Sequence, residues 1–265
     1  TYNMKIQNII LSVIVLLLSG LLLTSCESND NPVIQTNNST ANSKALVEFF
    51  TAVNCPNCPP PGYFLDNVDS LKGITINDTN VIIIRYHSNF NGYDPYYLYN
   101  PTASAARHSY YQYFWNPAAS LLGTGMPSYD QNAWLNTINS QLEKRNSIEV
   151  GISNTYDTSS RNGTVTVSLL QTSTSSVSDL KLFIAITESE LFYSGTNGEK
   201  YHQNTFRNFL TDNAGDNVAL QTGTLLNVTK NYSLNSAIKY NNSHIVVFVQ
   251  SASGKTVYGV ERIRF

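Results

Sequence analysis

Charge is scarce in this chain. Only 13% of its 265 residues are Asp, Glu, Lys or Arg, and 18 acidic against 16 basic residues leave a formal charge of −2. That balance supplies no basic field, which excludes a surface built to bind nucleic acid. Histidine and cysteine are also sparse, at four and three residues. The histidines are scattered and there is no second cysteine pair, so a zinc ribbon is excluded, and no metal or organic cofactor is expected. The C-terminal half carries no Ser/His/Asp ordering, no phosphate-cradling glycine loop and no metalloprotease motif. No internal repeat is present. Asn, Ser, Thr and 17 Tyr take the place of charge, and a hydrophobic share of 42% is ample for real cores.

The first residues read as an export signal. Met4-Lys5 precedes an apolar run from Ile9 to Leu23, broken only by Ser12, Ser19 and Gly20. Such a run is shorter than the roughly 20 residues that span a bilayer. A basic start, a short apolar core and small residues before a cut describe a secretory leader. The ending Leu23-Thr24-Ser25-Cys26 resembles the lipobox of bacterial lipoproteins, in which the cysteine becomes N-terminal and carries diacylglycerol. The expected organisation is a leader over 1–25 and a lipidated flexible tether over 26–43. The tether is rich in Asn, Ser and Thr, too polar to fold alone. Its acidic start, Glu27-Ser28-Asn29-Asp30, resembles tags that direct lipoproteins to the outer surface.

The periodicity changes near residue 147. Over 44–147, apolar strands alternate with helical patterns. Ala45–Ala52 and Val81–Tyr86 read as buried strands, parallel to each other because a helix over Gly62–Leu71 separates them. Further helix is expected over Ala103–Trp115 and Trp134–Lys144, with a short strand at Ala119–Leu122. Over 148–265 the period becomes two. Ile148–Thr155, Thr164–Leu170, Leu180–Ile186, Ile245–Gln250 and Val257–Phe265 read as strands, with turns at Asn162-Gly163 and Ser253-Gly254. The expected fold is an α/β domain followed by an all-β sandwich.

The chemistry sits in Cys55-Pro56-Asn57-Cys58. The first strand runs directly into it, and Pro59, Pro60 and Pro61 fit only the first turn of a helix that starts there or just after. A helix N-terminus offers unpaired N–H groups and about half a positive charge, which favours a thiolate. Cys55, on the exposed side, is expected to attack, and Cys58, one turn deeper, to resolve the mixed disulfide. A static disulfide in an exported protein is the alternative. His87, at the end of a buried strand, is expected to be a hydrogen-bonded or surface imidazole rather than a copper ligand.

Strand, motif and helix together resemble the thioredoxin fold over Lys44–Arg145. The resemblance implies a cis-proline facing the disulfide. Asn116-Pro117 is similar in placement, and Met126-Pro127 is the second candidate. It also implies a buried acid on the first strand, for which Glu48 is offset by one residue. A tyrosine-rich insert follows the second strand, and Tyr96 and Tyr97 are its candidates for an exposed substrate surface, with Asn116 beside them. The lipobox, the CxxC motif, Tyr86-His87, Asp94-Pro95-Tyr96-Tyr97, Arg107 with Tyr110-Tyr111, Arg207, Gly215-Asp216 and Val246–Gln250 resemble the outer membrane protein 28-related family of Gram-negative lipoproteins. That resemblance implies a thioredoxin-like domain before an immunoglobulin-like one and a lipid-anchored outer membrane location. Thiol–disulfide exchange with protein thiols or disulfides of the cell envelope is the leading expectation. The alternative is a non-enzymatic surface lipoprotein that binds a protein or glycan through its β-domain. Arg207 is expected to anchor structure rather than to recognise a carboxylate.

Overall fold

The computed structural model describes residues 43–70, 80–90, 92–174 and 177–265. Cys26, its leader and its tether lie outside the described residues. Strands and helices are numbered here in chain order. β1 (Ala45–Thr51) leads to α1 (Pro59–Asp66) and β2 (Val81–His87). Both strands are buried along their whole length, as near-continuous apolar runs in a parallel pair must be. They pair parallel in full register, Ala45 with Val81 through Thr51 with His87. α2 (Pro95–Tyr99) and α3 (Pro101–Tyr111) follow. Each starts on a side-chain cap, Asp94 and Asn100, with proline in its first turn. β3 (Ala118–Leu121) runs antiparallel to β1, β4 (Thr124–Gly125) extends it, and α4 (Gln131–Leu142) is capped by Asp130.

The rest is β. In order come β5 (Ile148–Tyr156), β6 (Asn162–Gln171), β7 (Leu180–Glu188), β8 (Leu191–Phe192), β9 (Tyr201–His202), β10 (Thr205–Phe209), β11 (Asp216–Asn217), β12 (Leu225–Ser233), β13 (Ser243–Ser251) and β14 (Val257–Arg264). β5, β6 and β12 form a three-stranded sheet, and β8 pairs with β9 in a small hairpin. The remaining strands of the C-terminal half join those of the N-terminal half in one long sheet, ordered β14-β13-β7-β10-β2-β1-β3-β4, with β11 pairing to β7. The join is the parallel pairing of Thr205 on β10 with Arg85 on β2. The change of periodicity at 147 therefore leads first into the separate sheet of β5 and β6, and only β7, β10, β11, β13 and β14 share a sheet with the N-terminal strands.

Three apolar layers follow from this order. β1 and β2 bury Val47, Phe49, Val81 and Ile83 against Phe64 and Leu65 of α1 and Trp134 and Ile138 of α4. β7 and β13 bury Leu182, Ile184, Ile245 and Val247 against Val165, Val167 and Leu169 of β6, which makes this half a two-layer sandwich. The opposite face of the long sheet is one continuous core. Leu46, Phe50, Ile82 and Ile84 share it with Phe183, Phe248 and Val257 under Ala103 and Tyr111 of α3. The sheet curls around that core until its ends meet. Val257 N–H at the start of β14 donates to Leu122 O after β3 at 3.0 Å.

A buried ionic group fixes the concave face. Arg107 of α3 is 1% exposed and Glu48 of β1 is fully buried. Arg107 Nε and Nη2 donate to the two carboxylate oxygens at 3.0 and 2.7 Å, and Nη1 donates to Gln250 Oε1 of β13 at 3.1 Å. The Tyr111 hydroxyl also donates to Glu48, and Gln250 Nε2 donates back to Tyr111 Oη at 2.8 Å. The Glu48 carboxylate holds the Arg107 guanidinium charged against the desolvation that burial imposes, and burial beside Glu48 pushes the Tyr111 hydroxyl well up.

Two local expectations move. The hairpin between β5 and β6 turns at 157–161, not at Asn162-Gly163. Asp157 accepts Ser159 N–H there, and Arg161 takes the left-handed conformation, φ +58°. Gly163 lies instead within β6, where a Cβ would come within 2.4 Å of the Tyr232 ring. The first helix spans Pro59–Asp66 and is followed by a 3-10 turn at Val68–Ser70, rather than running over Gly62–Leu71.

Removing one partner of such a buried pair strands the other. Arg107→Met is expected to destabilise the fold by about 3–5 kcal/mol. The measurement is the urea midpoint at unchanged slope; a loss under about 1 kcal/mol would show that the network carries no such weight.

Candidate functional site

The site begins where β1 ends. Ala52 to Asn54 turn the chain so that Cys55 N–H donates to Ala52 O at 3.1 Å, and Cys58 N–H donates to Cys55 O at 3.2 Å. Cys55 and Cys58 form a disulfide with Cα atoms 5.4 Å apart. Cys58 is the N-cap of α1. The order strand, motif, helix is therefore present, but two of its expected chemical features are not. Cys55 is only 1% exposed and Cys58 is fully buried; with Ala52 they form a small apolar cluster on which Phe90 packs. The expected uncovered Cys55 sulfur is a correction: at this site Pro56 and Asn57 face solvent instead. The helix start also lacks donors. Pro59, Pro60 and Pro61 have no N–H, so the first helical N–H is that of Gly62, and it is already bonded to Cys58 O at 3.0 Å. The dipole of the turn remains, while the directed N–H groups that usually meet an anion do not.

The Asn116–Pro117 peptide is cis. β3 follows it, and Phe50 pairs with Ala118; one step further along that register sets Pro117 beside Thr51. Asn116 Nδ2 donates to Thr51 O at 3.4 Å and to Ser88 Oγ at 2.5 Å. Phe114 and Trp115, immediately before this peptide, are 82% and 57% exposed. Met126-Pro127 is not cis.

Asp94 ties the motif loop to the insert. Its carboxylate accepts Val53 N–H at 2.9 Å, His87 Nδ1 at 2.8 Å, and the N–H groups of Tyr96 and Tyr97 at 2.9 and 3.1 Å. Burial alone would raise its pKa; the His87 imidazole and the backbone donors outweigh that and hold it below the usual carboxylate range. His87 is buried, with its ring against Tyr96 at 4.9 Å and His202 at 5.6 Å. Burial, helped by His87, pushes His202 down to about 4.

The structure joins Cys55 to Cys58 and places Asn116 at Thr51 and Ser88, at the ends of the two strands that lead toward the motif loop and the insert. It does not bring Tyr96 to the surface. Tyr96 is 6% exposed and closed in by His87, His202 and Tyr193, which corrects its expected role as an exposed substrate contact; Tyr97 beside it is half-buried. Glu48 serves the ion pair with Arg107. Arg207 pairs with Glu188 at 3.1 Å and lies over the Tyr99 ring. The residues that sequence reading passed over are Asp94, Gly195, Asn197 and Glu199. Asp94-Pro95 carries a legible signal, a capping acid before a first-turn proline. Gly195 to Glu199 carries none, because its contacts are 140 residues away in sequence. Among the described residues no group of His, Cys, Asp and Glu is arranged to hold a metal ion.

Fold and site together define a β-rich protein in which a curled sheet carries a buried CxxC disulfide. Residues 106–265 match the family described as outer membrane protein Omp28, and the chain belongs to that family. It is accordingly an outer membrane protein. The matched span runs from within α3 to the last strand and does not include Cys55 and Cys58. Among solved structures, HBP35 of Porphyromonas gingivalis is similar in fold, with a TM-score of 0.72 at 16% identity over 84% of this chain and 75% of that one. A domain of the outer membrane lipoprotein Omp28 from Porphyromonas gingivalis is 18% identical over 45% of this chain and 95% of that one, with a TM-score of 0.35. Comparison with curated proteins gives no match. Among the described residues no helix is long and apolar enough to cross a membrane.

Two outcomes follow from this geometry. Pro60 is exposed, and Pro60→Ala restores a first-turn N–H next to the Cys58 cap. In the reduced protein this is expected to lower the alkylation midpoint of the pair by about half a pH unit, the size of a helix-terminus interaction. Alkylation rate against pH reads it, and an unmoved midpoint would mean that the missing donors do not limit the thiolate. His202 generates the second. Between its folded value of about 4 and its ordinary value of 6.5, the unfolded chain binds a proton that the folded chain refuses. Stability therefore falls on acidification through that window, by at most about 1.4 kcal/mol per pH unit from this group. His202→Gln is expected to flatten the urea midpoint against pH there; an identical profile would sink the assignment.

Proposed function

We propose that this outer membrane protein is a thiol–disulfide exchange protein, held at the membrane by lipid on Cys26. The observation that carries the reading is the Cys55–Cys58 disulfide at the cap of α1, with a cis Asn116–Pro117 peptide leading into β3, the strand paired to β1. The order β1-α1-β2, with β3 antiparallel to β1 and α4 behind, supports a thioredoxin-like reading of this part. In the reaction, a substrate thiolate attacks Cys55 Sγ, the Cys55–Cys58 bond breaks, and Cys58 leaves as a thiolate that takes up a proton. A second substrate thiol then displaces Cys55 from the mixed disulfide. Two electrons pass from the substrate dithiol to the protein pair, and the reverse sequence oxidises the pair's two thiols at the expense of a substrate disulfide. Exposed Phe114 and Trp115, leading into Asn116–Pro117, provide apolar area for a protein substrate to rest on.

A second reading is favoured by the burial of both sulfurs and by the prolines of the helix start. In it the disulfide is static, and the β-rich half binds a protein or glycan partner at the cell envelope. The reduction potential separates the two. An exchanging pair is expected between about −270 and −120 mV, whereas a static one lies below about −300 mV. Under the exchange reading, Cys58→Ser is expected to accumulate envelope proteins as mixed disulfides on Cys55, resolved on non-reducing gels. A potential below the static limit together with an empty trap would decide for the second reading.

A further inference from the structure

The hairpin β8–β9 belongs to the C-terminal half of the chain, yet its tip rests on the loop that carries the disulfide. The tip is a tight turn, in which Gly195 N–H donates to Glu199 O at 2.8 Å and Gly198 N–H donates to Gly195 O at 3.1 Å. Gly198 has φ +94°, a conformation that suits glycine. From this turn Asn197 reaches the motif loop twice. Its backbone N–H donates to Val53 O at 3.3 Å, and its Nδ2 donates to Ala52 O at 3.3 Å. Gly195 lies so near that a Cβ would come within 2.4 Å of Val53 O. Glu199 is 5% exposed and accepts Asn197 Nδ2 at 2.7 Å. Its other carboxylate oxygen sits over Gly62, where a Cβ would be 2.9 Å away. One turn therefore holds the backbone just before Cys55 and the first turn of α1 just after Cys58.

The base of the hairpin is anchored, with His202 buried against His87 and Tyr96 and Tyr193 against Tyr96. The tip is held more lightly: each strand is two residues long, Phe192 and Tyr201 are 67% and 58% exposed, and Asn197 meets the motif loop through two hydrogen bonds. Such a tip can release locally, without global unfolding. The disulfide that this loop carries is closed to solvent, with Phe90 packed on it.

We infer that the tip of the β8–β9 hairpin is a strap on the turn that leads into Cys55, and that release of the strap regulates the access of a partner thiol to Cys55. The inference rests on the exchange reading for its purpose but on the hairpin contacts for its substance. The strap opens and closes in both redox states, so it sets the rate of exchange and leaves the equilibrium unchanged. Substrate recognition and access are then coupled: a partner that displaces Asn197 from the carbonyls of Ala52 and Val53 frees the turn that keeps Cys55 buried.

The test uses the full-length protein in its oxidised form and dithiothreitol as the probe. One thiolate of the reagent attacks the disulfide, its second thiol closes a ring, and both protein thiols are released, with two electrons passing from reagent to protein. The rate of thiol release is followed in wild type, Asn197→Ala, Gly195→Val and Phe90→Ala. Asn197→Ala removes the side-chain bonds without adding bulk; Gly195→Val forces the tip off Val53. Loss of these hydrogen bonds is expected to raise the reduction rate constant about tenfold, with the potential against a glutathione buffer unchanged. Rates within about twofold of wild type in both hairpin variants, or acceleration in Phe90→Ala alone, would overturn the strap. Failure of the exchange reading shows elsewhere, in a potential too low for exchange, whether or not the hairpin variants react faster.

Discussion

The buried contact between Arg107 and Glu48 is the constraint around which the rest is arranged. Three segments far apart in sequence supply it: Glu48 from β1, Arg107 from α3, Gln250 from β13. A guanidinium in an apolar core is tolerable only when its donors are met, because an unpaired charge there costs several kcal/mol. Meeting them requires β1 and β13 to approach the same helix face, although three strands separate them in the sheet order. The sheet must therefore curl. That curl makes one continuous core of Phe50, Tyr86, Phe183 and Phe248. The β10–β2 join lies in the same sheet, and the hairpin that reaches the motif loop immediately precedes β10. Specification of one arrangement among many, rather than raw stability, is what such a network contributes best.

The same contact changes what Glu48 can do. The resemblance to thioredoxins offers it as a buried acid behind the disulfide, with an offset of one residue along the strand. In the structure that offset places it on the α3 side, with Leu46 and Phe50, while Val47 and Phe49 face α1. A carboxylate held by Arg107 and Tyr111 is not a free proton carrier. The polar groups beside the motif are Asp94 and His87, and they act first as an anchor for the loop at Val53. The prolines at the start of α1 point the same way. They fix the chain in a helical first turn and remove the donors that would otherwise stabilise a thiolate. The site is built to hold its disulfide firmly, and any exchange has to work against that bias.

Much of the local structure was legible in the sequence, and its assembly was not. β1, β2, α3, β7, β13 and β14 lie where apolar runs and periodicities put them, and the parallel pairing of β1 with β2 follows from the helix between them. β10 and β12 were missed for physical reasons. Thr205–Phe209 carries a register irregularity against β7 that breaks the period of two. Leu225–Ser233 is a mostly exposed edge strand, with little apolar signal. The Asn162-Gly163 turn was misplaced because the glycine answers to the Tyr232 ring across the sheet rather than to the hairpin. At the site, the motif and Asn116-Pro117 are local signals. Burial of Cys55 depends on contacts from distant segments, and no spacing rule reports these.

The closing bond of the long sheet has a consequence of its own. Val257 meets Leu122, so the rim that follows β3 is met only by a strand far along the chain. Sheets closed between such distant positions fold slowly, since the ends must find each other across the whole chain before the core rewards the search. β14 pairs along one side with β13 alone, and the single bond from Val257 to Leu122 takes up one donor on its other side, so the rim is blunted at one point and leaves a foreign strand less free backbone to pair with there.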